Sequence, residues 1–351
     1  MRQDELRVGI AGYGVVGKRR RGFIDQHPNL RTVAICDQAF VEPGRMNDGV
    51  RCCPNYEQLL EEPLDVLFVS LPNYMAADVT IAGLQRGLHV FCEKPPGRTV
   101  ADVERVIEVE KNHPGLLLRY GFNHRYHKSV MTTHKIIESG KYGDIINIRG
   151  VYGKSSIIPF DSGWRSERKY AGGGILLDQG IHMVDMIRHF AGDFDEIKSF
   201  VSNDYWHHDV EDNAYAIMRN ERGCVAMLHS TATQWQHRFR LEITLTEASL
   251  ELTGILSGSK SYGEEKLRII LREDGVAVGS LTETTSSCLR DDSWKQEIDE
   301  FADSIMNDKA ATNGNSTDAL KVMKLIYKIY CSDEQWKDKY EIADPDVLPE
   351  E

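Results

Sequence analysis

The sequence predicts an α/β protein of two domains, an N-terminal parallel sheet flanked by helices and then a domain with an antiparallel sheet. Three observations predict it. The chain is 351 residues long, more than one hydrophobic core usually organises, so two domains are expected. Up to Phe122 short apolar runs alternate with helical stretches of ten or more residues, the rhythm of βαβ units. Beyond that point longer strand-like runs are separated by turn residues, the pattern of an antiparallel sheet.

Each element follows from its residues. Leu6 to Ala11 reads as a short buried strand, broken by Gly12-Tyr13-Gly14-Val15-Val16-Gly17, and a basic helix follows from Lys18 to about Gln26. Thr32 to Cys36 is the next strand and ends at Asp37; Asp65 to Leu71 is the third, closed by Pro72-Asn73. Ala76 to Arg86 is helical with Gly87 as its C-cap. Leu88 to Cys92 is a fourth strand, stopped by Glu93-Lys94-Pro95-Pro96. A helix over Thr99 to Asn112 leads to the strand Leu116 to Tyr120, and the domain boundary falls there, giving domains 1–122 and 123–351. The second domain opens with a helix near Lys128 to Ser139. Strand runs follow at Ile145–Tyr152, Glu196–Val201, Ala214–Met218, Val225–Ala232, Arg238–Thr246, Ser249–Leu252 and Leu267–Arg272. Helices over Trp294–Asn307 and Thr317–Cys331 close the chain.

Composition narrows the function. With 42 basic against 54 acidic side chains the formal charge is −12, which repels a phosphate backbone and sets nucleic acid aside as a partner. No run approaches the ~20 apolar residues of a membrane helix, and the polar start Met1 to Leu6 lacks the apolar core of a signal peptide. The seven cysteines are scattered with no C-x-x-C spacing, as expected of unpaired thiols in a cytoplasmic protein.

The glycine turn is the strongest motif. Gly-x-Gly-x-x-Gly alone is weak, but here a strand precedes it, a helix follows, and Asp37 ends the next strand at the spacing of a ribose-binding carboxylate. Gly12 permits the tight turn, Gly14 lets backbone approach a pyrophosphate, and Gly17 allows close helix–strand packing. The helix start supplies N–H donors and the positive end of a dipole for phosphate. Lys18-Arg19-Arg20-Arg21 sits against that dipole. Two of these four read as a solvated face, and Arg19 reads as a neutraliser of cofactor phosphate. Asp37 favours NAD, because a carboxylate repels a 2′-phosphate, although an aspartate here does not bar NADP.

Two further segments carry chemistry. Glu93-Lys94-Pro95 ends a parallel strand, where open α/β sheets place ligands, and a lysine there can stabilise negative charge growing on a substrate oxygen. In Gly172-Gly173-Gly174 and the helix that follows, Asp178, His182 and Asp185 stand at i, i+4 and i+7 and so share one face. A histidine flanked by carboxylates has the tunable pKa and the orienting partner of a general base. Proton removal by His182 lets hydride leave the same carbon toward a nicotinamide. Asp178 would contact substrate or steer His182, and Asp185 would be a buried structural group. Alone, such a triplet is more often a core histidine paired to aspartate. No metal is expected, because no cysteine or second histidine cluster completes a ligand set.

In this order the glycine turn, Asp37, Glu93-Lys94-Pro95 and the Asp178…His182 helix resemble the glucose–fructose oxidoreductase / inositol dehydrogenase (Gfo/Idh/MocA) family. Asn73, Asn123-His124-Arg125, Trp164-Arg165, Asp209 to Asn213 and Trp294 to Phe301 extend the resemblance over nearly the whole chain. It implies an N-terminal Rossmann dinucleotide-binding domain and a C-terminal α/β domain with a large open antiparallel sheet, commonly a homodimer or homotetramer interface. It implies Lys94, Asp178 and His182 as the catalytic trio, and Lys94-Pro95 as a cis peptide, the one kind of bond where cis is cheap. Cofactor contacts are expected from Gly12 through Gly17, Arg19, Asp37, Leu71-Pro72-Asn73, Glu93, Lys94 and Pro95. Many relatives carry a histidine shortly after the Pro-Asn pair where this chain has Ala76, which cautions against copying any one relative's substrate.

Substrate contacts are expected on connecting segments, at Asn123, Arg125, Trp164, Arg165, Tyr170 and His182, with Lys154, Arg168, Trp235 and His237 as further candidates. Cations and aromatics in an acidic protein point to a polyhydroxylated, anionic sugar such as a uronate or nucleotide-linked sugar. The activity expected is hydride transfer between nicotinamide and a hydroxyl or keto carbon of a sugar, sugar acid, nucleotide-sugar or cyclitol. The rival readings are a dehydrogenase of simpler diols or carbonyls, and a catalytically silent, cofactor-binding regulator.

Overall fold

A computed structural model describes residues 5–157, 163–257, 261–272 and 281–346. In chain order the early strands are β1 (Leu6–Ala11), β2 (Leu30–Cys36), β3 (Gly44–Arg45), β4 (Arg51–Cys53), β5 (Val66–Val69), β6 (His89–Cys92) and β7 (Leu118–Tyr120), with helices α1 (Val15–Ile24), α2 (Tyr56–Leu59), α3 (Asn73–Gln85) and α4 (Val100–Lys111) between them. A 3-10 turn at Asn123–Tyr126 and α5 (Lys128–Glu138) lead into β8 (Ile145–Ser155). Then come α6 (Arg168–Ala171), a π turn at Leu176–Gly180 and α7 (Ile181–Ala191). Strands β9 (Glu196–Ser202), β10 (Asn213–Arg219), β11 (Val225–Gln234), β12 (Arg238–Leu245), β13 (Ala248–Thr253), β14 (Glu265–Arg272) and β15 (Leu281–Cys288) follow, before α8 (Ser293–Met306), α9 (Ser316–Ser332) and α10 (Glu334–Lys339).

The chain divides into two compact units. The first holds residues 1–122 together with 169–172 and 294–320, and the second holds the rest. The first unit is therefore not the single stretch expected from the sequence. The reason is apolar surface: Ile298, Phe301 and Ala302 on α8 are fully buried and join the core of β1, β2, β5 and β6. Phe301 meets Phe91 and Phe68 edge-on, with ring centroids 5.4 and 5.8 Å apart. Each such buried aromatic stabilises the fold by roughly 1.5–3 kcal/mol.

The first unit's sheet runs in the order β3-β4-β2-β1-β5-β6-β7. Strand β1 is central and pairs in parallel with β2 on one side and β5 on the other. The chain therefore switches direction across the sheet beside β1, and the crevice beyond the carboxyl end of that strand is where such folds take ligands. The sequence Val-Leu-Phe-Val of β5 is buried at every position, as a strand covered on both faces must be. Helix α4 starts where the Thr99 hydroxyl accepts the Asp102 amide at 3.2 Å, a side-chain N-cap.

The second unit carries an eight-stranded sheet in the order β15-β14-β13-β12-β8-β11-β10-β9. One pairing departs from the all-antiparallel expectation, since β11 runs parallel to the central β8. Parallel neighbours need a crossover, and the chain from β8 to β11 supplies it through α7, β9 and β10. In β10 buried and exposed residues alternate strictly, so one face of this sheet packs inward and the other is left in solvent.

Candidate active site

The glycine turn lies at the carboxyl end of β1. Gly12 has φ +90°, and a Cβ there would stand 2.3 Å from the Ser70 carbonyl oxygen, so only glycine fits. A Cβ on Gly17 would stand 1.9 Å from the Gly12 carbonyl oxygen, which fixes how closely α1 packs on the turn. Gly14 differs, because a Cβ there would meet nothing within 4 Å. Nothing in the protein demands glycine at that place, whereas a pyrophosphate approaching the backbone does. No side chain caps the start of α1, and such a helix start presents backbone donors to an anion. The Asp37 carboxylate accepts the Tyr13 amide at 2.9 Å and the Ala39 amide at 3.0 Å, which holds it beside the turn. These residues fit a dinucleotide.

Leu71 and Pro72 end the segment after β5, and the Asn73 side chain donates to the Ala171 carbonyl at 2.7 Å. Lys94 is partly buried and its bond to Pro95 is cis. Glu93, expected to touch cofactor, has another engagement: Arg20 Nε donates to its carboxylate at 2.5 Å. The Arg20 guanidinium lies 4.4 Å over the Phe91 ring and 4.2 Å over the Trp294 ring. It also pairs with the Glu297 carboxylate at 2.7 Å. Burial, opposed by Arg20, pushes the Glu297 carboxyl up to about 7. A Cβ on Gly121 would come within 2.9 Å of Glu93 Oε2, so this cluster also dictates that glycine. Arg19, expected at cofactor phosphate, has its guanidinium 4.3 Å over the Trp294 ring. The Tyr170 ring meets that of Tyr74 at a tilt of 54°, with centroids 5.2 Å apart, in this same unit.

In the second unit the chain from Gly173 leads into the π turn rather than directly into an α-helix. The buried Glu211 carboxylate shapes this entry by accepting the Gly174 amide at 2.7 Å, the Leu176 amide at 3.0 Å and the Tyr330 hydroxyl at 2.7 Å. The π turn alters the spacing, so Asp178, His182 and Asp185 do not share one α-helical face as expected. The Asp178 side chain is 33% exposed and meets Arg165 at 3.7 Å, while Asp185 is fully buried. π turns recur where a helix must aim functional groups.

His182 is buried and its ring lies flat on that of His124, with centroids 3.7 Å apart and planes within 13°. Arg125, expected to touch substrate, is instead buried with a bidentate grip on Asp185 at 2.6 and 2.8 Å. A guanidinium committed in this way to a buried carboxylate positions the start of the domain against α7. Asn123 likewise turns inward, its amide donating to the Ser293 hydroxyl at 3.1 Å.

Around Asp178 the second unit gathers polar groups from several elements. Lys154 on β8 is half-buried, and its ammonium is pushed down by burial and Arg165 while Asp178 pulls it up. Arg165 lies over the Trp164 ring at 4.3 Å. Gln179 donates to the Tyr262 hydroxyl at 2.5 Å, and the His237 ring stands 4.6 Å from that of Tyr262. Sequence reasoning missed Tyr152, Gln179 and Tyr262, and it named His124 only as part of the crossover. Among the described residues no group of three or more His, Cys, Asp or Glu side chains could hold a metal ion.

A parallel sheet with a glycine turn at its switch point, a ribose-spaced carboxylate and a second sheet domain have the architecture of Rossmann-fold oxidoreductases. The family profile for the NAD-binding Rossmann fold of oxidoreductases matches residues 6–122, and that for the Gfo/Idh/MocA C-terminal domain matches residues 130–251. The chain belongs to the Gfo/Idh/MocA oxidoreductase family. Levoglucosan dehydrogenase of Pseudarthrobacter phenanthrenivorans is 29% identical over 213 residues, 57% of this chain and 54% of that protein. Inositol 2-dehydrogenase of Salmonella typhimurium is 30% identical over 163 residues, 44% of this chain and 48% of that protein. These alignments span about half the length of the curated relatives. A solved structure of levoglucosan dehydrogenase with NADH and levoglucosan superposes at a TM-score of 0.82 over 94% of this chain and 97% of that one, at 20% identity, which shows the shared fold.

Proposed function

We propose that this protein transfers hydride between NAD and a hydroxyl or keto carbon of a small polyhydroxylated molecule: a sugar, sugar acid, nucleotide-sugar or cyclitol. The observation that carries the reading is the open Gly14 backbone beside Asp37 at the sheet's switch point, in a chain that keeps Lys94, Asp178 and His182. The nicotinamide supplies the hydride acceptor or donor. Asp37 binds the ribose hydroxyls and disfavours a 2′-phosphate. Lys94 stabilises negative charge on the substrate oxygen, and His182 takes or returns the hydroxyl proton. Asp178, with Arg165 and Lys154 beside it, binds the substrate's polar groups. The two cations favour a substrate carrying a carboxylate or phosphate.

The test is nicotinamide absorbance against a panel of neutral sugars, cyclitols, uronates and nucleotide-sugars, with NAD and with NADP. Turnover is expected with NAD in preference to NADP. Arg165→Ala should raise KM for the anionic members by roughly 10–100-fold, the loss of one charge-assisted hydrogen bond. Unchanged kinetics in that variant would remove the anion assignment. NADH binding without turnover of any panel member would favour the silent regulator.

The same reading includes a cytoplasmic homo-oligomer built on the second unit's sheet. All seven cysteines are free thiols, and among the described residues no helix is long and apolar enough to cross a membrane. The outer face of the sheet exposes Phe200 (79%), Tyr215 (48%), Ile217 (52%) and Met227 (46%), and the strand register sets Tyr215 opposite Phe200 and Ile217 opposite Met227. Such a contiguous apolar patch is unusual on a monomer. Light scattering should give a dimer or tetramer that Phe200→Glu shifts toward monomer; a monomeric parent protein would overturn this.

A further inference from the structure

We propose that His124 is a positioning residue for His182, fixing the plane of its imidazole and taking the first proton of the stacked pair so that His182 stays neutral. The inference rests on the reading of His182 as the base. Its grounds are geometric. The two rings are parallel at 3.7 Å between centroids, and both are buried. Two imidazolium charges at that separation repel strongly, so the rings titrate as a pair and hold one proton between them.

A hydrogen-bond chain decides which ring holds it. Asp291 Oδ1 accepts from the Ser293 hydroxyl at 2.6 Å. That hydroxyl, its proton committed, accepts from the Asn123 amide nitrogen at 3.1 Å. The orientation leaves Asn123 Oδ1 facing His124 Nδ1 at 3.2 Å, so that nitrogen carries a proton. Nε2 of His124 faces the Tyr152 hydroxyl at 3.1 Å, an oxygen able to accept as well as donate. The imidazolium form of His124 thus has an acceptor at each nitrogen, with a carboxylate at the far end of one path.

Charged and titratable groups from neighbouring elements also face His124. His127, on the same turn, meets His124 edge-on at 5.4 Å and is paired with Glu265 of β14 at 2.8 Å. His127 and the Ser129 backbone hold the Glu265 carboxyl down against its burial. Arg125 is neutralised by Asp185 of α7. Tyr152 of β8 has its hydroxyl held protonated by burial, and Phe239 of β12 closes the pocket with an apolar ring at 6.3 Å. His124 thus offers a proton an acceptor at each ring nitrogen.

The experiment follows each imidazole of the ¹⁵N-histidine-labelled full chain by NMR from pH 4 to 9, with His124→Phe and His182→Phe fixing the assignments. In the parent protein His124 should titrate first. His182 should titrate at least about one pH unit lower than it does in His124→Phe, where the stack survives without the second base. Asn123→Ala, which cuts the hydrogen-bond chain and leaves both rings, should lower the His124 midpoint. Cofactor binding, followed by NADH fluorescence, reports whether each variant folds. The proposal is overturned if His182 takes the first proton, or if its midpoint is the same with and without His124. Should His182→Ala keep full turnover, the base assignment falls by itself, while the paired titration is judged by NMR alone.

Discussion

Lys94→Ala is expected to lower kcat by about 10²–10³-fold, the cost of removing one preorganised donor from a developing oxyanion. His182→Ala should lower it by about 10²–10⁴-fold, the usual contribution of a positioned acid–base group. His182→Ala should not move the affinity for NADH by more than about threefold, because the cofactor contacts expected at the Gly12–Gly17 turn, the start of α1, Asp37 and Lys94 are untouched by that substitution. The double variant is the sharper measurement. If lysine and histidine serve one proton-coupled hydride transfer, losing the second after the first costs far less than the product of the single losses. Independent effects would multiply instead. Initial rates by nicotinamide absorbance, at saturating substrate and with NADH fluorescence in parallel, give all four values. Full turnover in either single variant would end the assignment.

The sequence was legible wherever one residue's requirement is local. The turn at Gly12–Gly17, the strand before it and Asp37 after it follow from steric and electrostatic rules that act over a few residues, and the strand Leu6–Ala11 appears at its expected bounds. Seven of the eight strands of the second unit's sheet were readable within a few residues of their ends, and β15 was missed. Less legible was anything that depends on a partner far away in sequence. The parallel β8·β11 pairing cannot be seen in either strand alone. The i, i+4, i+7 spacing of Asp178, His182 and Asp185 suggested one helical face, and the π turn at Leu176–Gly180, held by Glu211, broke that periodicity. Arg125 reads in sequence as a substrate contact because nothing nearby shows that Asp185, sixty positions later, accepts from its Nε and Nη2. Arg20 did leave a signal. Gly17, Arg20 and Ile24 are the buried residues of α1, at the i, i+3, i+7 spacing of an inward face. The run Lys18 to Arg21 masked it, since its cations read as a solvated face or as partners of cofactor phosphate.

That buried arginine gives the second large expected effect. Arg20→Met keeps much of the side-chain volume between Phe91 and Trp294 but leaves Glu93 and Glu297 facing each other without their cation, with side chains only 12% and 1% exposed. Removing one partner of a buried ion pair costs about 3–5 kcal/mol, and for this unit the melting temperature should fall by roughly 10 °C. The pH dependence carries the diagnosis. Burial raises the folded-state pKa of Glu297 to about 7, above the ~4.3 of an unfolded glutamate, so its contribution to stability is present at low pH and is lost as pH rises through 7. Arg20 holds that pKa down; without it the carboxyl keeps its proton to higher pH, and the loss of stability extends above 7. The deficit of Arg20→Met relative to the parent protein should therefore be larger at pH 8 than at pH 6. Adding Glu297→Gln removes the stranded charge and should recover part of the loss at pH 8. Thermal unfolding followed by circular dichroism at the two pH values checks both points. A melting temperature within about 2 °C of the parent protein, or a deficit that shrinks at pH 8, would mean that this cluster is not what ties α1 and α8 to the end of β6.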